Sequence, residues 1–249
     1  MFTRIKTAKE IAAMRESGQM LASVLKKIQQ TAVPGMTGKE IANLARQELE
    51  VLGGKPAFLG YNGFADVICI STNDEVVHGI PNDRPFVEGD IVSFDFSVNY
   101  QGMITDSAFT MCLGVPTKQQ ERLLRATERS MYAGIEQLKA GVRVGDIASA
   151  VERVLRRDKL GIVRELVGHG VGHHLHEDPN IPNYGTAGTG PALQAGMTIA
   201  IEPMASLGDH RITMDKDGWT IRTQDGSLAA HFEHTALITE DGFEIITAW

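Results

Sequence analysis

The sequence predicts an α+β fold assembled from two related halves. Helical periodicity alternates along the chain with short runs rich in β-branched residues, and no low-complexity linker separates them. The segment Gly35–Ala42 (GMTGKEIA) is echoed by Gly141–Ala148 (GVRVGDIA), and each follows one predicted helix and opens another. Shared helix-start chemistry is the alternative explanation of so short an echo. If the halves are related, residues from both would meet at a central cleft.

Four helices are predicted from apolar residues at helical spacing, over about residues 8–31, 37–53, 117–139 and 144–159. The first should end before Pro34-Gly35, which does not continue a helix. The second should start at Thr37, because Glu40 completes the sequence signature of a capping box, and it should stop at Gly53. Each proposed half therefore carries a pair of helices.

Strands are predicted in β-branched or alternating apolar runs near residues 67–70, 91–98, 104–112, 198–201 and 235–239. The second and third runs flank a turn at residues 99–102 and should form a hairpin. Since side chains alternate between the two faces of a strand, Asp95 and Asp106 can lie on the same side of this hairpin. Two carboxylates would then be within reach of one ion. An acid between Phe94 and Phe96 would otherwise be costly to bury.

Composition narrows the class of protein. The length of 249 residues fits one large domain, which predicts a single catalytic domain over residues 1–249. No apolar run is long enough to cross a bilayer and no signal peptide is visible, so a cytoplasmic protein without a membrane partner is expected. The formal net charge of −7 argues against nucleic acid as a substrate. Cys69 and Cys112 lie in apolar runs and predict reduced thiols rather than a disulfide framework.

Four carboxylates and one imidazole in apolar surroundings predict ligands for two divalent metal ions: Asp95, Asp106, His169, Glu202 and Glu233. Ionised carboxylates crowded into a partly desolvated pocket repel one another unless cations offset their charge. Each acid alone would more often be a paired structural group, so the prediction depends on the whole set. Mostly oxygen ligands with one nitrogen suit Mn²⁺, Fe²⁺, Co²⁺ or Zn²⁺, and the sequence does not choose among them. Two such ions would indicate hydrolysis by an activated water.

The segment around His169 contains four histidines and lacks the His-Glu-x-x-His spacing of helical zinc proteases. Gly168 and Gly170 flank His169 and would allow a close approach of the backbone to a crowded centre. A histidine-rich surface loop that binds metal only adventitiously is the alternative. No Gly-x-Ser-x-Gly nucleophile motif competes with the metal interpretation.

Motifs along nearly the whole chain carry a resemblance to a known family: Asn73–Pro81, the spacing of Asp95 and Asp106, Gly168–Gly172, His176-Glu177, Ile201–Met204 and Phe232–Thr235. They resemble the methionine aminopeptidases of type I. That resemblance implies the pita-bread fold, in which two pseudo-symmetric halves form a central antiparallel sheet covered by helices. The interval between Glu202 and Glu233 leaves no room for the type II insertion. The chain also starts without the zinc-binding extension common in eukaryotic cytosolic type I enzymes, which implies a bacterial-like form.

The resemblance also implies a role for each site residue. Asp106 and Glu233 would bridge the two metals, Asp95 would complete one site, and His169 with Glu202 would complete the other. Glu202 would in addition carry the proton from the attacking water to the leaving amine. The catalytic histidines His78 and His176 would hydrogen-bond the scissile peptide.

A methionine pocket is implied at six positions: Phe58, Tyr61, Phe64, Cys69, Leu175 and Trp219. Aromatic edges and a thiol suit a polarisable thioether. Plain core packing is the alternative for each of them. The chain departs from the best-known bacterial pattern at three positions. Phe58 stands where cysteine is common, Asn62 where histidine is common, and Leu175 where phenylalanine is common, so the pocket shape and inhibitor preference are expected to differ.

The implied activity is removal of the N-terminal methionine from newly made proteins when the second residue is small. The implied partners are polypeptide N-termini and, transiently, the ribosome, and the family is usually monomeric. Two alternatives remain at this point. One is a proline-directed aminopeptidase or dipeptidase with a similar ligand set. The other is a non-catalytic binding module that has lost its metals, although all five ligands are present here.

Overall fold

A computed structural model describes residues 4–249 of the chain. Within this range the helices are α1 (Ala8–Thr31), α2 (Gly38–Leu52), α3 (Lys118–Ile135) and α4 (Val144–Arg157), with a short 3₁₀ turn at Tyr61–Gly63. The four predicted helices are confirmed. The prediction extended the third one too far, to residue 139. It ends at Ile135 because the next amides, those of Gln137 and Leu138, bond to carbonyls only three residues back.

The start of α2 shows why these helices begin where they do. The Glu40 amide donates to the Thr37 hydroxyl at 3.2 Å, and the Thr37 amide donates to a Glu40 carboxylate oxygen at 2.7 Å. This is the predicted capping box. Thr7 and Glu10 form the same arrangement before α1, where no capping box was predicted. At the far end of α2, Gly53 has a φ of 81°, so the left-handed position is occupied by glycine.

Fifteen strands are formed by the same part of the chain: β1 (Lys55–Pro56), β2 (Ile68–Thr72), β3 (Glu75–Val77), β4 (Ile91–Tyr100), β5 (Met103–Cys112), β6 (Gly161–Ile162), β7 (Gly168–Gly170), β8 (Glu177–Ile181), β9 (Thr198–Ile201), β10 (Met204–Ser206), β11 (Ile212–Met214), β12 (Ile221–Thr223), β13 (Ala229–His231), β14 (Glu233–Ile238) and β15 (Phe243–Ile245). All five predicted strands are present. Nine strands form the central sheet, in which β1-β4-β5-β14-β9-β7-β8 follow in that order, β2 joins β4 and β15 joins β14. Every pairing in it is antiparallel, as predicted.

The hairpin of β4 and β5 is tighter than predicted. Its loop is only Gln101-Gly102, with φ values of 51° and 82°, because two left-handed residues give a turn whose twist matches the strands. In the resulting register Asp95 pairs with Ala108 and Ser97 pairs with Asp106. Asp95 and Asp106 are therefore diagonal neighbours on one face, as the alternation of side chains predicted.

Backbone hydrogen bonds confirm that the echoed segments belong to pseudo-symmetric halves. The Gly35 amide donates to the Phe86 carbonyl at 2.8 Å, and the Gly141 amide donates to the Leu193 carbonyl at 2.8 Å. Both glycines have positive φ, 95° and 86°, which places them at equivalent turns before α2 and α4. The sequence echo therefore reflects equivalent structure in the two halves.

The helices pack on the face of the sheet opposite Asp95. Phe94 and Phe96 are fully buried and share one hydrophobic core with Leu21 of α1 and Ile147 of α4. Burying each phenylalanine contributes about 1.5–3 kcal/mol. This apolar layer holds β4 in place, so that the intervening Asp95 must face the other side.

None of the helices in the described range is long and apolar enough to span a bilayer.

Candidate metal centre and substrate cavity

The five predicted metal ligands stand on, or directly after, five consecutive strands of the central sheet. Asp95 lies on β4, Asp106 on β5 and Glu233 on β14, while Glu202 follows β9 and His169 is in β7. The first two come from the N-terminal half and the other three from the C-terminal half. The strands of the two halves meet where β5 pairs with β14. The predicted meeting of both halves at a central cleft is therefore observed.

Small residues between the ligands leave room for them. Ala108 pairs with Asp95 on one side and with Glu233 on the other. Ala200 pairs with His169. Directly paired residues project to the same face of an antiparallel sheet. The methyl groups of the alanines thus form the floor on which the longer carboxylate and imidazole side chains converge.

The donor atoms form two tight groups that share one carboxylate. In one group, an atom from each of Asp106, His169 and Glu233 lies within 4.8 Å of the others. In the second group, atoms of Glu202, His231 and Glu233 meet the same limit. Glu233 thus stands between two sets of donors. Asp95 is outside both tight groups, although it lines the same cavity.

His169 is oriented by its own backbone. Its Nδ1 lies 2.9 Å from the Gly170 carbonyl oxygen, which can only accept, so Nδ1 carries the proton and Nε2 presents a lone pair. Nε2 lies 3.4 Å from Oε1 of Glu202. A metal-binding imidazole usually donates its other N–H to a carbonyl or carboxylate, and His169 meets this requirement.

The buried oxygens fit a divalent cation. Asp95 Oδ1, Asp106 Oδ1 and Glu233 Oε1 are buried and have no hydrogen-bond partner. No lysine or arginine of residues 4–249 lines the cavity. Buried carboxylate oxygens without a donor are costly, and hard divalent ions are the partners that such oxygens bind. The donor set therefore fits the metal ions that the sequence predicted.

Burial shifts the carboxyl groups toward their neutral form. It is the main cause that raises the pKa of Asp95 to about 7 and that of Glu202 to about 8. The pKa of Asp106 is raised well above its ordinary value by burial and then by the charge of Asp95. Burial, followed by the charge of Asp106, raises the pKa of Glu233 as well. The four groups cannot all ionise near neutral pH without nearby positive charge.

The histidines shift in the opposite direction. Burial lowers the pKa of His169 to about 3 and that of His78 to about 4. It also lowers the pKa of His176. These imidazoles are therefore neutral at physiological pH, so a ring nitrogen of each can accept a hydrogen bond or bind a metal.

A cavity of about 250 Å³ opens beside the carboxylates. Its wall includes all six predicted pocket residues, namely Phe58, Tyr61, Phe64, Cys69, Leu175 and Trp219. The five predicted ligands, His78 and His176 line it too, as does Asn62. The residues that the sequence predicted for the site therefore line one cavity.

Cys69 is buried and Cys112 is partly buried, and both are free thiols as predicted.

Aromatic edges shape the apolar end of the cavity. Phe64 packs edge-on against Phe58 and Trp219, with ring centroids 6.4 and 5.1 Å apart. These side chains form a separate apolar cluster with Leu175, beside the central core. Edge-to-face pairs of this kind add about 0.5–1.5 kcal/mol beyond burial and hold the rings in fixed orientations. The wall is therefore pre-formed.

The two predicted catalytic histidines reach the cavity from different loops. His176 is oriented by the Tyr61 hydroxyl, which lies 2.8 Å from Nδ1. Its ring centroid is 4.2 Å from that of His169. His78 follows β3 with a φ of 59°, an unfavourable backbone conformation for a residue with a side chain. Strain of this kind is found preferentially at functional sites, and no pattern in the sequence indicates it.

His231 is the residue at the centre that sequence reasoning missed. Its Nε2 lies 3.4 Å from Glu202 Oε2 and 3.9 Å from Glu233 Oε2. Burial lowers its pKa, so the ring is neutral. A signal was available in the sequence, because His231 precedes Glu233 by two residues and so projects toward the same face.

Comparison with known proteins places this arrangement in a class. A family model described as metallopeptidase family M24 matches residues 12–240. That range is most of the chain, so the chain belongs to metallopeptidase family M24 and is a metal-dependent peptidase. This confirms the family to which the sequence motifs pointed.

Individual relatives are methionine aminopeptidases. Methionine aminopeptidase 1 of Bacillus subtilis is 43% identical over 242 residues, covering 97% of this chain and 98% of that protein. The Aquifex aeolicus methionine aminopeptidase is 41% identical over 256 residues and covers 99% of each. The crystal structure of methionine aminopeptidase from Thermotoga maritima superposes with a TM-score of 0.98 at 45% identity, covering 100% of both chains. These matches confirm a bacterial-like form.

More distant structures share the fold alone. Prolidase from Pyrococcus furiosus superposes with a TM-score of 0.81 at 22% identity, covering 98% of this chain and 65% of that chain. Together with the Thermotoga structure, this match confirms the predicted pita-bread fold.

Proposed function

We propose that this chain is a methionyl aminopeptidase, which hydrolyses the first peptide bond of newly made proteins when the second residue is small. One observation carries the proposal: a buried cluster of four carboxylates opens directly into an apolar, aromatic-walled cavity of about 250 Å³. The carboxylates supply the chemistry and the cavity accepts the side chain. The full-length identity to methionine aminopeptidases supports the same assignment.

Two divalent ions are proposed as cofactors. Asp106 and Glu233 would bridge them, Asp95 would complete one site, and His169 and Glu202 the other. Bound there, the ions would lower the pKa of a water molecule and polarise the substrate carbonyl. Mn²⁺, Fe²⁺, Co²⁺ and Zn²⁺ all suit this set of oxygen and nitrogen donors.

Glu202 is the proposed general base and acid. It would take a proton from the attacking water and deliver that proton to the nitrogen of the leaving amine. A carboxyl whose pKa burial raises to about 8 is suited to hold and release a proton near neutral pH. Its side chain lines the cavity and lies 3.4 Å from His169.

His78 and His176 are the proposed hydrogen-bonding groups for the scissile peptide. Both rings are neutral, since burial lowers their pKa values. The Tyr61 hydroxyl engages Nδ1 of His176 at 2.8 Å and leaves Nε2 for the substrate. A donor fixed beside the reacting carbonyl stabilises the charge that develops on its oxygen.

The methionine side chain is proposed to enter between the aromatic rings. Phe64 and Trp219 offer ring edges, and Cys69 adds a polarisable sulfur, which are favourable contacts for a thioether. Phe58, Asn62 and Leu175 line the same cavity, so the departures from the common bacterial pattern fall on its wall. We therefore propose that they alter the pocket shape and inhibitor preference while leaving the metal chemistry unchanged.

The setting of the activity is part of the proposal. The chain would act as one catalytic domain in the cytoplasm, as a monomer, on polypeptide N-termini, with transient ribosome contact. Neither a membrane nor nucleic acid is proposed as a partner.

The test is peptide cleavage with defined metals. The protein loaded with Mn²⁺ or Co²⁺ should hydrolyse Met-Ala-Ser and should not hydrolyse a matched Ala-Pro-Ser peptide. Glu202→Ala should lower turnover by at least about 100-fold, the usual loss when an acid–base group is removed. His169→Ala should also lower turnover strongly, because it removes a proposed metal ligand. Preference for the X-Pro peptide, or full turnover by both variants, would overturn the proposal.

A further inference from the structure

His231 is buried against the carboxylates without a partner of its own. Its side chain is 2% exposed, and it ends strand β13. Neither ring nitrogen makes a hydrogen bond to another residue in the described part of the chain. The nearest polar atom to Nε2 among the neighbouring acids is Glu202 Oε2, at 3.4 Å. Burying an imidazole whose two nitrogens make no hydrogen bond costs free energy. This cost indicates that the ring gains a partner when metal ions bind the neighbouring carboxylates.

The pseudo-symmetry gives His231 a defined place in the centre. The Thr235 hydroxyl accepts from the Asp106 amide at 3.0 Å and donates to the Asp106 carbonyl at 2.8 Å. The Thr110 hydroxyl makes the same pair of bonds with the amide and carbonyl of His231, at 2.9 and 2.6 Å. His231 therefore occupies, in the C-terminal half, the backbone position that Asp106 occupies in the N-terminal half. Both side chains point at the shared cleft.

The two oxygens of Glu202 face two different imidazoles. Oε1 lies 3.4 Å from Nε2 of His169, and Oε2 lies 3.4 Å from Nε2 of His231. The rings differ in their other nitrogen. His169 donates from Nδ1 to a carbonyl, as ligating imidazoles do, whereas Nδ1 of His231 has no partner. His231 therefore lacks the support that a metal ligand normally has, and its proton is best placed on Nε2, facing Glu202.

We propose that His231 is a positioning residue for Glu202: its Nε2–H donates to Oε2 and thereby directs Oε1 toward the metal ions beside His169. The inference rests on the proposed function, because Glu202 is the proposed metal ligand and proton carrier. The hydrogen bond also keeps the carboxylate from rotating as the proton moves through it.

The test compares two substitutions of the same residue. His231→Phe keeps the ring and removes the N–H, so kcat for Met-Ala-Ser should fall about 10- to 100-fold, the usual cost of losing an orienting partner. KM should stay within about twofold, because the methionine pocket is untouched. His231→Gln supplies an amide N–H of similar reach and should restore kcat to within a few-fold of wild type. Thermal melts establish that each variant is folded.

His234→Gln is the matched control. His234 is also buried, but its Nδ1 bonds to the Thr247 hydroxyl at 2.9 Å and its ring packs on Trp249, away from the cavity. Loss of stability without loss of kcat is expected there. An equal fall of kcat in this control would mean that His231→Phe acts through general destabilisation, and would overturn the proposal.

Two readouts separate this inference from the proposed function. Calorimetric titration of Mn²⁺ measures the site without turnover, and His231→Phe should weaken binding while His231→Gln should not. If wild type binds Mn²⁺ but leaves Met-Ala-Ser intact, the proposed function fails, and the titration still tests His231.

The ¹⁵N-histidine spectrum of the zinc-loaded wild type needs no variant. A proton on Nε2 of His231 supports the proposal, whereas a metal-bound Nε2, or unchanged kcat in His231→Phe, overturns it.

Discussion

Two buried acidic regions of this molecule differ in the partners that the chain supplies to their carboxylates. At the N-terminus of the described chain, the Lys6 ammonium lies 3.0 Å from Glu177 Oε2, with both side chains at most 3% exposed. The other oxygen of Glu177 accepts from the amides of His173 and His174 at 2.7 and 3.0 Å. In the metal centre, by contrast, three carboxylates each leave a buried oxygen without any donor.

The difference distinguishes a structural acid from a functional one. The chain supplies its own cation and amide donors to Glu177, so that carboxylate is satisfied by folding alone. The acids of the cleft have no lysine or arginine among the described residues that line it. When these acids ionise, their charge has to be balanced from outside the described part of the chain. Both Glu177 and the acids of the cleft are buried, so burial alone does not distinguish a structural carboxylate from a functional one. The hydrogen-bond or ionic partner of each carboxylate oxygen does.

The largest effect is expected from breaking the functional cluster. Glu202→Gln keeps the size of the side chain but removes its ability to carry a proton, so kcat for Met-Ala-Ser should fall about 10²- to 10⁴-fold. Steady-state kinetics in saturating Mn²⁺ measures this. Glu50→Gln, an exposed substitution on α2, serves as the control and should leave kcat unchanged. Wild-type turnover by Glu202→Gln would remove Glu202 from the mechanism.

Breaking the structural pair should cost stability. Lys6→Met removes the Lys6 ammonium from the buried Glu177 carboxylate, and removing one member of a buried ion pair costs about 3–5 kcal/mol. Guanidinium unfolding of the metal-free protein measures the change against Lys26→Met, an exposed position on α1 that should change little. If both variants unfold at the same midpoint, the Lys6–Glu177 pair does not stabilise the fold.

Supplying the missing cations should stabilise the protein. Mn²⁺ at about 100 times its dissociation constant should add about 2.7 kcal/mol to the free energy of unfolding for each site that binds only the folded chain. Differential scanning calorimetry with and without EDTA measures the gain. Asp106→Asn should lose most of it. An identical melting temperature in EDTA and in Mn²⁺ would contradict the external balance of charge.

The smallest effect is a pH trend whose sign depends on the metal. Folding raises the pKa of Asp95 to about 7 and of Glu202 to about 8, so their contribution is complete at low pH and is lost as pH rises through those values. His169 and His78 have depressed pKa values, and the opposite trend that they drive falls mainly below pH 6.5. Between about pH 6.5 and 8 the metal-free protein should therefore lose about 2 kcal/mol of stability.

Excess Mn²⁺ should reverse that trend, because ions bind more tightly as the carboxyl groups lose their protons. Urea unfolding at pH 6.5 and 8, each with EDTA and with Mn²⁺, gives the four values required. A metal-free protein that gains stability over this interval would show that the acids ionise freely.

Sequence reasoning succeeded where the signal was local. The capping box of Thr37 and Glu40 depends on residues three positions apart. The hairpin turn was predicted within residues 99–102, and its loop proved to be only Gln101-Gly102. Alternation along β4 and β5 was enough to place Asp95 and Asp106 on one face. The third helix was predicted too long because apolar spacing continues past Ile135, while the backbone has already tightened into a turn there.

What the sequence could not supply were relations between distant segments. Only the folded structure shows that the ring nitrogens of His231 make no hydrogen bond and that His78 has a strained φ. The same holds for Lys6 and Glu177, whose partnership spans 171 positions. A pattern in one segment carries no information on which other segment will supply its partner.

The sequence by itself determined the kinds of donors, the strands and helices that bear them, and the two-fold repetition of the fold, because these follow from residue chemistry and from periodicities of two and 3.6 residues. Tertiary structure decided which carboxylates lie beside a cationic side chain of the same protein, as Glu177 does, and which do not. That outcome depends on where strand order and register bring five distant segments together, and the pairing of β5 with β14 places them at a single cleft.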